Sequence, residues 1–304
     1  MDPLVVQHLV NWLTLGSIYA LVALGFSLLF GVLNVIHFSH GDVSMVAPFI
    51  VLGVISALYG SVMPADMPGL VLAVVIALVA TGALGILLDR LVIRRFRDSP
   101  AMMALVATVA LGTVLRELIR TLYPQGSNPK PFPRFISGHV SIGELSLSSY
   151  SLFVIIVSAL AMFALFWMMR NTQLGLRIRA VSEDRSAARL MAIDPNRVFA
   201  ATFFIASAVG AIGGVFFASY AGVVRFDFGI MYGLLGFSAA VIGGLGSMQG
   251  AIIGSMVIAG IDIAVQATFP EGAPYRLVFI FLLVILVLVV KPSGLLGRPV
   301  MEKV

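Results

Sequence analysis

Long apolar runs separated by short polar segments dominate the pattern of this chain. These runs fall at about 8–33, 43–60, 68–89, 101–122, 149–169, 198–221, 233–269 and 275–290. Most of them approach the roughly 20 apolar residues that an α-helix needs to cross a bilayer. The pattern therefore predicts an all-α polytopic integral membrane protein with about eight transmembrane helices, which form a single transmembrane domain over residues 1–304.

A polar break at membrane depth, residues 34–42, joins the first two apolar runs. Its candidate pathway residues are Asn34, His37, His40 and Asp42. Polar, non-helical backbone beside hydrocarbon is tolerated only where it faces protein or a water-filled cavity. We therefore expect this segment to line or close a solute pathway. The alternative is that its side chains cap helix ends, a role that suits Ser39 and Asp42.

A second, glycine-rich break interrupts the long run at 233–269, which could be two short helices, a re-entrant hairpin or one bent span. Its candidate pathway residues are Gly243, Gly244, Gly246, Ser247 and Gln249. Discontinuous helices of transporters expose backbone groups to substrate at such breaks. The alternative is close helix packing through small residues.

The composition supports a membrane protein and excludes several other classes. Hydrophobic residues make up 60% of the chain and charged residues 11%, with a mean hydropathy of +1.07, whereas soluble domains are about 25% charged. The net charge of +5 is better explained by a basic cytoplasmic side than by nucleic-acid binding. The chain has no cysteine, and nothing else supplies His or Cys at metal-ligand spacing around His37 and His40, so we expect no metal site.

Basic residues cluster in three regions, about 90–97, 170–197 and 291–303. The positive-inside rule places all three in the cytoplasm. No Lys or Arg precedes Arg90, so we expect the N-terminus outside and the C-terminus inside. The segment 124–148 then lies outside; its first part is punctuated by prolines, and alternation around Ser137–Gly138 predicts a short hairpin.

The longest charged segment, about 175–194, lies between two spans. Alanines recur there at helical spacing beside charged residues, and Asp194 followed by Pro195 is a strong helix start. We expect a short amphipathic helix that ends near Ile193. It is either a coupling helix that receives a nucleotide-driven motion or a surface helix on anionic lipid. The candidate coupling residues are Arg179, Glu183, Asp184, Arg185, Ala187, Ala188 and Met191.

A few ionisable residues stand alone inside apolar runs. Asp262 is costly there unless it is paired or hydrated. Arg116 and Arg120 share a helix face, either facing an anionic substrate or extending to the outer interface.

The chain lacks the Gly-x-x-x-x-Gly-Lys-[Ser/Thr] phosphate loop. It is therefore not expected to be an enzyme or to bind a cofactor. If transport is ATP-driven, ATP-Mg is bound by separate ATPase polypeptides.

Four motifs together resemble the permease subunits of bacterial high-affinity branched-chain amino acid ABC importers. They are Gly16–Gly25 with Phe30–Gly41, the cytoplasmic segment Gly175–Ile193, the glycine-rich Val241–Ala251, and the tail Lys291–Gly297 with the sequence Lys-Pro-Ser-Gly-Leu-Leu-Gly. The resemblance covers nearly the whole chain in order. The tail and the Phe-Ser-His-Gly break are similar to those of the shorter, first permease of that family.

This resemblance implies a machine in the bacterial inner membrane with four kinds of partner: a second homologous permease, two cytoplasmic ATP-binding subunits, a periplasmic binding protein and the lipid bilayer. It also implies alternating access and favours the coupling-helix interpretation of 180–193. The substrate stays open among branched-chain amino acids, other amino acids, urea, short amides and aromatic carboxylates. A self-sufficient channel, an ion-coupled carrier and a membrane-embedded enzyme are less favoured, because the chain has few buried ionisable groups and an evident docking segment.

Overall fold

The computed structural model describes residues 3–60, 67–97, 99–136, 138–142, 145–269 and 274–297. Apolar α-helices account for most of this part of the chain. The segment at about 175–194 is called the cytoplasmic segment after its predicted location. The helices before it are α1 Pro3–Leu33, α2 His40–Tyr59, α3 Met67–Leu88 with a π-helical turn Asp89–Ile93 and α4 Arg94–Phe96, α5 Ala101–Leu122 and α6 Ser149–Asn171. Those that follow are α7 Gln173–Glu183, α8 Arg185–Leu190, α9 Pro195–Ala221, α10 Phe228–Gly243, α11 Met248–Thr268 and α12 Arg276–Val290.

Seven of these helical stretches in the described residues are long and apolar enough to cross a membrane, counting Met67–Phe96 as one. Two shorter apolar helices, Phe228–Gly243 and Arg276–Val290, accompany them. The polytopic all-α prediction is thus confirmed. The expected number of about eight lies between the seven long helices and the nine apolar helices in total.

Helix α1 is the centre of the bundle. Every residue from Thr14 to Leu29 is buried, and α1 packs against α9, α10 and α11. A helix that is apolar all round is stable only where neighbours or lipid cover every side. Small residues allow the close approach, since a Cβ on Gly236 would collide with the side chain of Val22.

The long apolar run at 233–269 forms two helices rather than one bent span. Helix α10 ends at Gly243 and α11 begins at Met248. Gly244 and Gly246 have φ angles of 104° and 83°, which residues other than glycine adopt only at a cost. The glycines therefore permit the sharp reversal.

Two short antiparallel ribbons lie between helices. Strand β1 (Lys130–Pro131) pairs with β4 (Val223–Val224), and β2 (His139–Ile142) pairs with β3 (Leu145–Ser148). The predicted hairpin exists, but its position was wrong. The pairing runs from His139 with Ser148 to Ile142 with Leu145, so both strands lie after Gly138. The alternation of the sequence continues through β3, which moves the turn away from Gly138; Ser137 lies outside the described residues.

The cytoplasmic segment also differs from the single helix that its pattern predicts. It forms α7, which continues from α6 after Thr172, and then a separate α8. Asp184 interrupts the helix because its backbone is extended (φ −152°, ψ 114°) and its carboxylate caps α8, accepting hydrogen bonds from the amides of Ser186 and Ala187. Helix α8 ends at Leu190, three residues before the predicted end.

Candidate functional site

The first polar break folds back beside α1. Helix α1 ends at Leu33, and Asn34 takes a left-handed conformation with φ 55°. The chain then returns, and the His40 ring that opens α2 packs edge-on against Phe26, with ring centroids 4.9 Å apart. The same ring fills the space above Gly25, where a Cβ would collide with it. Helix α2 therefore begins beside Phe26, seven residues before the end of α1 at Leu33.

Buried polar contacts fix this returning segment. The His37 Nε2 and Ser39 Oγ atoms are 3.2 Å apart, and the Phe38 amide donates a hydrogen bond of 3.3 Å to Thr108 Oγ1 on α5. The His37 ring meets Phe203 edge-on at 5.3 Å. The break is thus held between α1, α5 and α9.

An ion pair crosses from this break to α5. Arg116 NH1 lies 2.7 Å from Asp42 Oδ2, and Arg116 NH2 donates a hydrogen bond of 3.0 Å to Thr113 Oγ1. The Asp42 side chain is 6% exposed and that of Arg116 is 17% exposed. Gly112 and Gly229 give the carboxylate its room, because a Cβ on either residue would collide with it. The charge of Asp42 is therefore neutralised within the bundle.

The second break packs against the C-terminal tail. The amides of Leu295 and Leu296 donate hydrogen bonds to the carbonyls of Ile242 (2.7 Å) and Gly243 (2.9 Å). A Cβ on Gly244 would collide with the Gly297 backbone. Gly244, a predicted pathway residue, thus contacts the chain's own tail. Gly243 is in direct backbone contact with Gly250 on α11.

The other predicted pathway residues of this break, Gly246, Ser247 and Gln249, have different surroundings. A Cβ on Gly246 would lie 3.6 Å from Gly31 of α1, an ordinary van der Waals contact, so it would fit without a collision. Ser247 caps α11 by accepting a hydrogen bond of 3.1 Å from the Gly250 amide. Gln249 is exposed and lines an open groove of about 490 Å³ with Trp167 and other residues at the end of α6.

The cytoplasmic segment is attached to the bundle by arginine. Arg185 donates a hydrogen bond of 3.1 Å to the Leu33 carbonyl at the end of α1. Its guanidinium lies over the Phe199 ring of α9, 5.1 Å from the centroid. Arg97, which pairs with Asp89, lies over the same ring at 3.9 Å. The guanidinium groups of Arg97 and Arg185 therefore both lie over the Phe199 ring, which joins the cytoplasmic segment to α9.

Two large apolar side chains are exposed at the C-terminal end of α8. Leu190 is 90% exposed and Met191 is 73% exposed, while Ala188 is buried against the bundle. Ala187 is exposed. At the start of the segment, Arg179 donates a hydrogen bond to the Met169 carbonyl and so joins α7 to α6.

A third polar cluster joins α1, α11 and α12. Asp262 is fully buried, and its Oδ2 accepts a hydrogen bond of 2.9 Å from the Tyr19 hydroxyl. Its Oδ1 accepts one of 2.7 Å from Gln266 and lies 3.5 Å from Arg276 NH1. Asp262 is therefore paired, as an acidic residue inside an apolar helix must be.

The structure links predicted residues that the sequence left separate. Asp42 and Arg116 form a pair across 74 positions, and Leu33 beside the first break contacts Arg185 of the cytoplasmic segment. Thr108 was missed, because a lone threonine in an apolar helix carries no pattern signal. Within the described residues, no three His, Asp or Glu side chains converge as a metal site would require.

Comparisons with known proteins agree with this architecture. A family model described as "Branched-chain amino acid transport system / permease component" matches residues 8–288. The chain is 35% identical to the high-affinity branched-chain amino acid transport system permease protein LivH of Escherichia coli (strain K12), over 98% of this chain and 97% of that one. It is 33% identical to BraD of Pseudomonas aeruginosa, a permease protein of the same description, with the same coverage. A probable branched-chain amino acid transport permease protein of Methanocaldococcus jannaschii is 24% identical over 93% of this chain.

Proposed function

This chain belongs to the branched-chain amino acid transport system permease family, and from that premise we propose that it is the transmembrane permease subunit of an ATP-driven ABC importer. It is a multi-pass inner-membrane protein. The proposed cargo is branched-chain or related amino acids, which the machine moves inward by alternating access.

The observation that carries this proposal is the exposed apolar end of α8. Leu190 and Met191 are among the more exposed large apolar side chains described, yet they follow a charged helix outside the bilayer. Exposed apolar residues rimmed by charge are typical of protein-binding surfaces. A lipid interface would cover such residues as well, but membership of a transport-system permease family favours a protein partner. We therefore interpret α8 as the coupling helix that docks on a cytoplasmic ATPase.

The contact between Arg185 and the Leu33 carbonyl gives a route for the motion. A displacement of α8 by the ATPase would act directly on the end of α1 and on the polar break that follows it. The break contacts α5 and α9 through Thr108 and Phe203. Residues 34–42 are thus placed to change conformation with the ATPase cycle, as candidate pathway elements.

The proposed partners are a second homologous permease, two cytoplasmic ATP-binding subunits that hold ATP-Mg, and a periplasmic binding protein. The basic segments at 90–97 and 170–197 face the cytoplasm in this assembly. With that orientation the N-terminus lies outside, the C-terminal tail lies inside beside the second break, and the paired ribbons form the outer surface.

The test is uptake of radiolabelled leucine by proteoliposomes that contain the complete complex, its binding protein and internal or external ATP. Accumulation only with ATP on the ATPase side supports both the machine and the cargo. ATP hydrolysis that is stimulated by the binding protein without leucine uptake would support the ATP-driven importer but contradict leucine as its cargo. Urea, an amide or an aromatic acid would then be tested as the cargo. Leucine entry without ATP would contradict the proposal and favour a channel or an ion-coupled carrier.

A further inference from the structure

Arg116 does not extend to the nearer end of its helix. It lies six residues from the end of α5 at Leu122, but its guanidinium bonds to Thr113, almost one turn in the opposite direction. Helical side chains lean toward the N-terminus, and Asp42 holds the guanidinium there at 2.7 Å. The positive group is therefore directed toward the middle of the span, which argues against snorkelling to the interface.

The face of α5 beside Arg116 is exposed in this chain and changes character along its length. Residues at four- and three-residue spacing form one stripe: Met102, Val106, Val109, Thr113, Arg116 and Arg120. The stripe is apolar up to Val109 and polar beyond it. Thr113 and Arg116 lie well inside α5, where polar and cationic groups are unfavourable against lipid and typically face the bundle interior or a water-filled pathway. Arg120 is nearer the end of the helix and pairs with Glu117 at 2.9 Å.

Two contacts leave part of the Arg116 guanidinium available. The group has five N–H donors in a planar fork. Its NH1 nitrogen donates to Asp42 and its NH2 nitrogen donates to Thr113. The side chain is 17% exposed, so the remainder of the fork can be reached from the exposed face. A planar fork of this kind matches a carboxylate in a bidentate manner.

We propose that Arg116 recognises the carboxylate group of the transported solute, with Asp42 and Thr113 as positioning residues and the adjacent Val109 and Val106 as an apolar surface for its side chain. This inference rests on the proposed permease function and deepens it by naming the residue that recognises the solute and the group that it binds. It selects solutes with a carboxylate, such as apolar amino acids, over urea and short amides.

The test measures binding to the complete permease–ATPase complex in nanodiscs without the binding protein, whose own specificity would obscure the result. Labelled leucine is displaced by leucine, by 4-methylpentanoate, which lacks the amino group, or by leucinamide, which lacks the carboxylate. We expect leucinamide to compete at least about ten-fold more weakly than the other two, since a hydrogen-bonded charge pair is lost. Arg116→Gln should remove this preference.

A double variant separates recognition from mere charge balance. Arg116→Gln alone leaves Asp42 without its cation, whereas Asp42→Asn with Arg116→Gln removes both charges. If Arg116 only neutralises Asp42, the double variant binds and transports leucine like the wild type, and the proposal is overturned. If Arg116 binds the carboxylate, the double variant stays defective. Arg197→Gln, the same charge change at a side chain that is 90% exposed at the start of α9, should alter leucine binding by less than about five-fold.

Uptake with the binding protein distinguishes failure of this site from failure of the permease function. ATP-driven uptake with equal competition by leucine and leucinamide, or with no displaceable leucine binding, overturns the Arg116 proposal alone. Absence of ATP-driven uptake of every solute tested would overturn both proposals.

Discussion

The guanidinium of Arg185 donates a hydrogen bond to the main-chain carbonyl of Leu33, across 152 positions of the chain. Leu33 is the last residue of α1, so its carbonyl has no partner within its own helix. The cytoplasmic segment thereby satisfies the end of the central helix of the bundle. This bond directly links the proposed ATPase-docking surface to the residue that precedes the polar break.

Replacing Arg185 with alanine should weaken this link. We expect leucine uptake per ATP hydrolysed to fall by about 2- to 30-fold, the range by which single residues alter coupling. Arg189→Ala, which removes the same charge from an exposed position of the same helix, is the matched control. Equal uptake per ATP in the two variants would show that the contact with Leu33 does not transmit the motion.

The pair formed by Tyr19 and Asp262 should contribute to stability rather than to transport. Tyr19→Phe leaves a buried carboxylate oxygen without its hydroxyl donor, which costs about 2 kcal/mol. We expect a lower thermal unfolding midpoint of the purified complex, while the variant that folds retains uptake. Tyr275→Phe, at an exposed tyrosine, should leave the midpoint unchanged. An unchanged midpoint in Tyr19→Phe would mean that Gln266 and Arg276 suffice to hold Asp262.

The spans were predictable from the sequence because hydrophobicity acts on each segment separately. The pairs that hold the site were not, since Asp42 with Arg116 and Tyr19 with Asp262 lie 74 and 243 positions apart. Only the packed bundle brings them together. The break at Asp184 had a local signal, since aspartate is a preferred N-cap and Asp184 stands two residues before Ser186 and two alanines. Strong helical spacing on both sides obscured it.

The two glycines of the second break should respond differently to substitution. Gly244→Ala would force a Cβ into the Gly297 backbone at a positive φ angle, at a cost of about 2 to 5 kcal/mol from overpacking and strain. Gly246→Ala makes only ordinary van der Waals contacts with Gly31 and Phe30 and pays the left-handed penalty of about 1 to 2 kcal/mol. We expect the first variant to lose assembly and the second to assemble, as judged by size-exclusion chromatography of the complex.

A transport assay on the Gly246 position then tests the pathway prediction. Gly246→Leu that assembles but does not transport would support a role of this position in the pathway. Assembly with normal uptake would favour packing as the function of the break. Gly53→Ala, with no atom within 4 Å of the added Cβ, provides the control for a benign glycine substitution.

The last prediction concerns Asp184, whose carboxylate has two separable properties. It carries a charge on the proposed docking surface, and it caps α8 through the Ser186 and Ala187 amides at 2.7 and 3.0 Å. Asp184→Asn removes the charge but keeps the cap, because asparagine is as good an N-cap as aspartate. Asp184→Ala removes both, and the lost cap costs about 1 kcal/mol of helix stability.

If the position of α8 is what the ATPase requires, Asp184→Asn should retain binding-protein-stimulated ATP hydrolysis and uptake, while Asp184→Ala loses uptake in part. Asp184→Lys should be more severe than either, because it loses the cap and places a positive charge at the positive end of the α8 helix dipole. Equal defects in Asn and Ala variants would instead assign the effect to the charge. A six-residue helix has little stability of its own, so its single cap is expected to decide whether Leu190 and Met191 are presented to the partner at all.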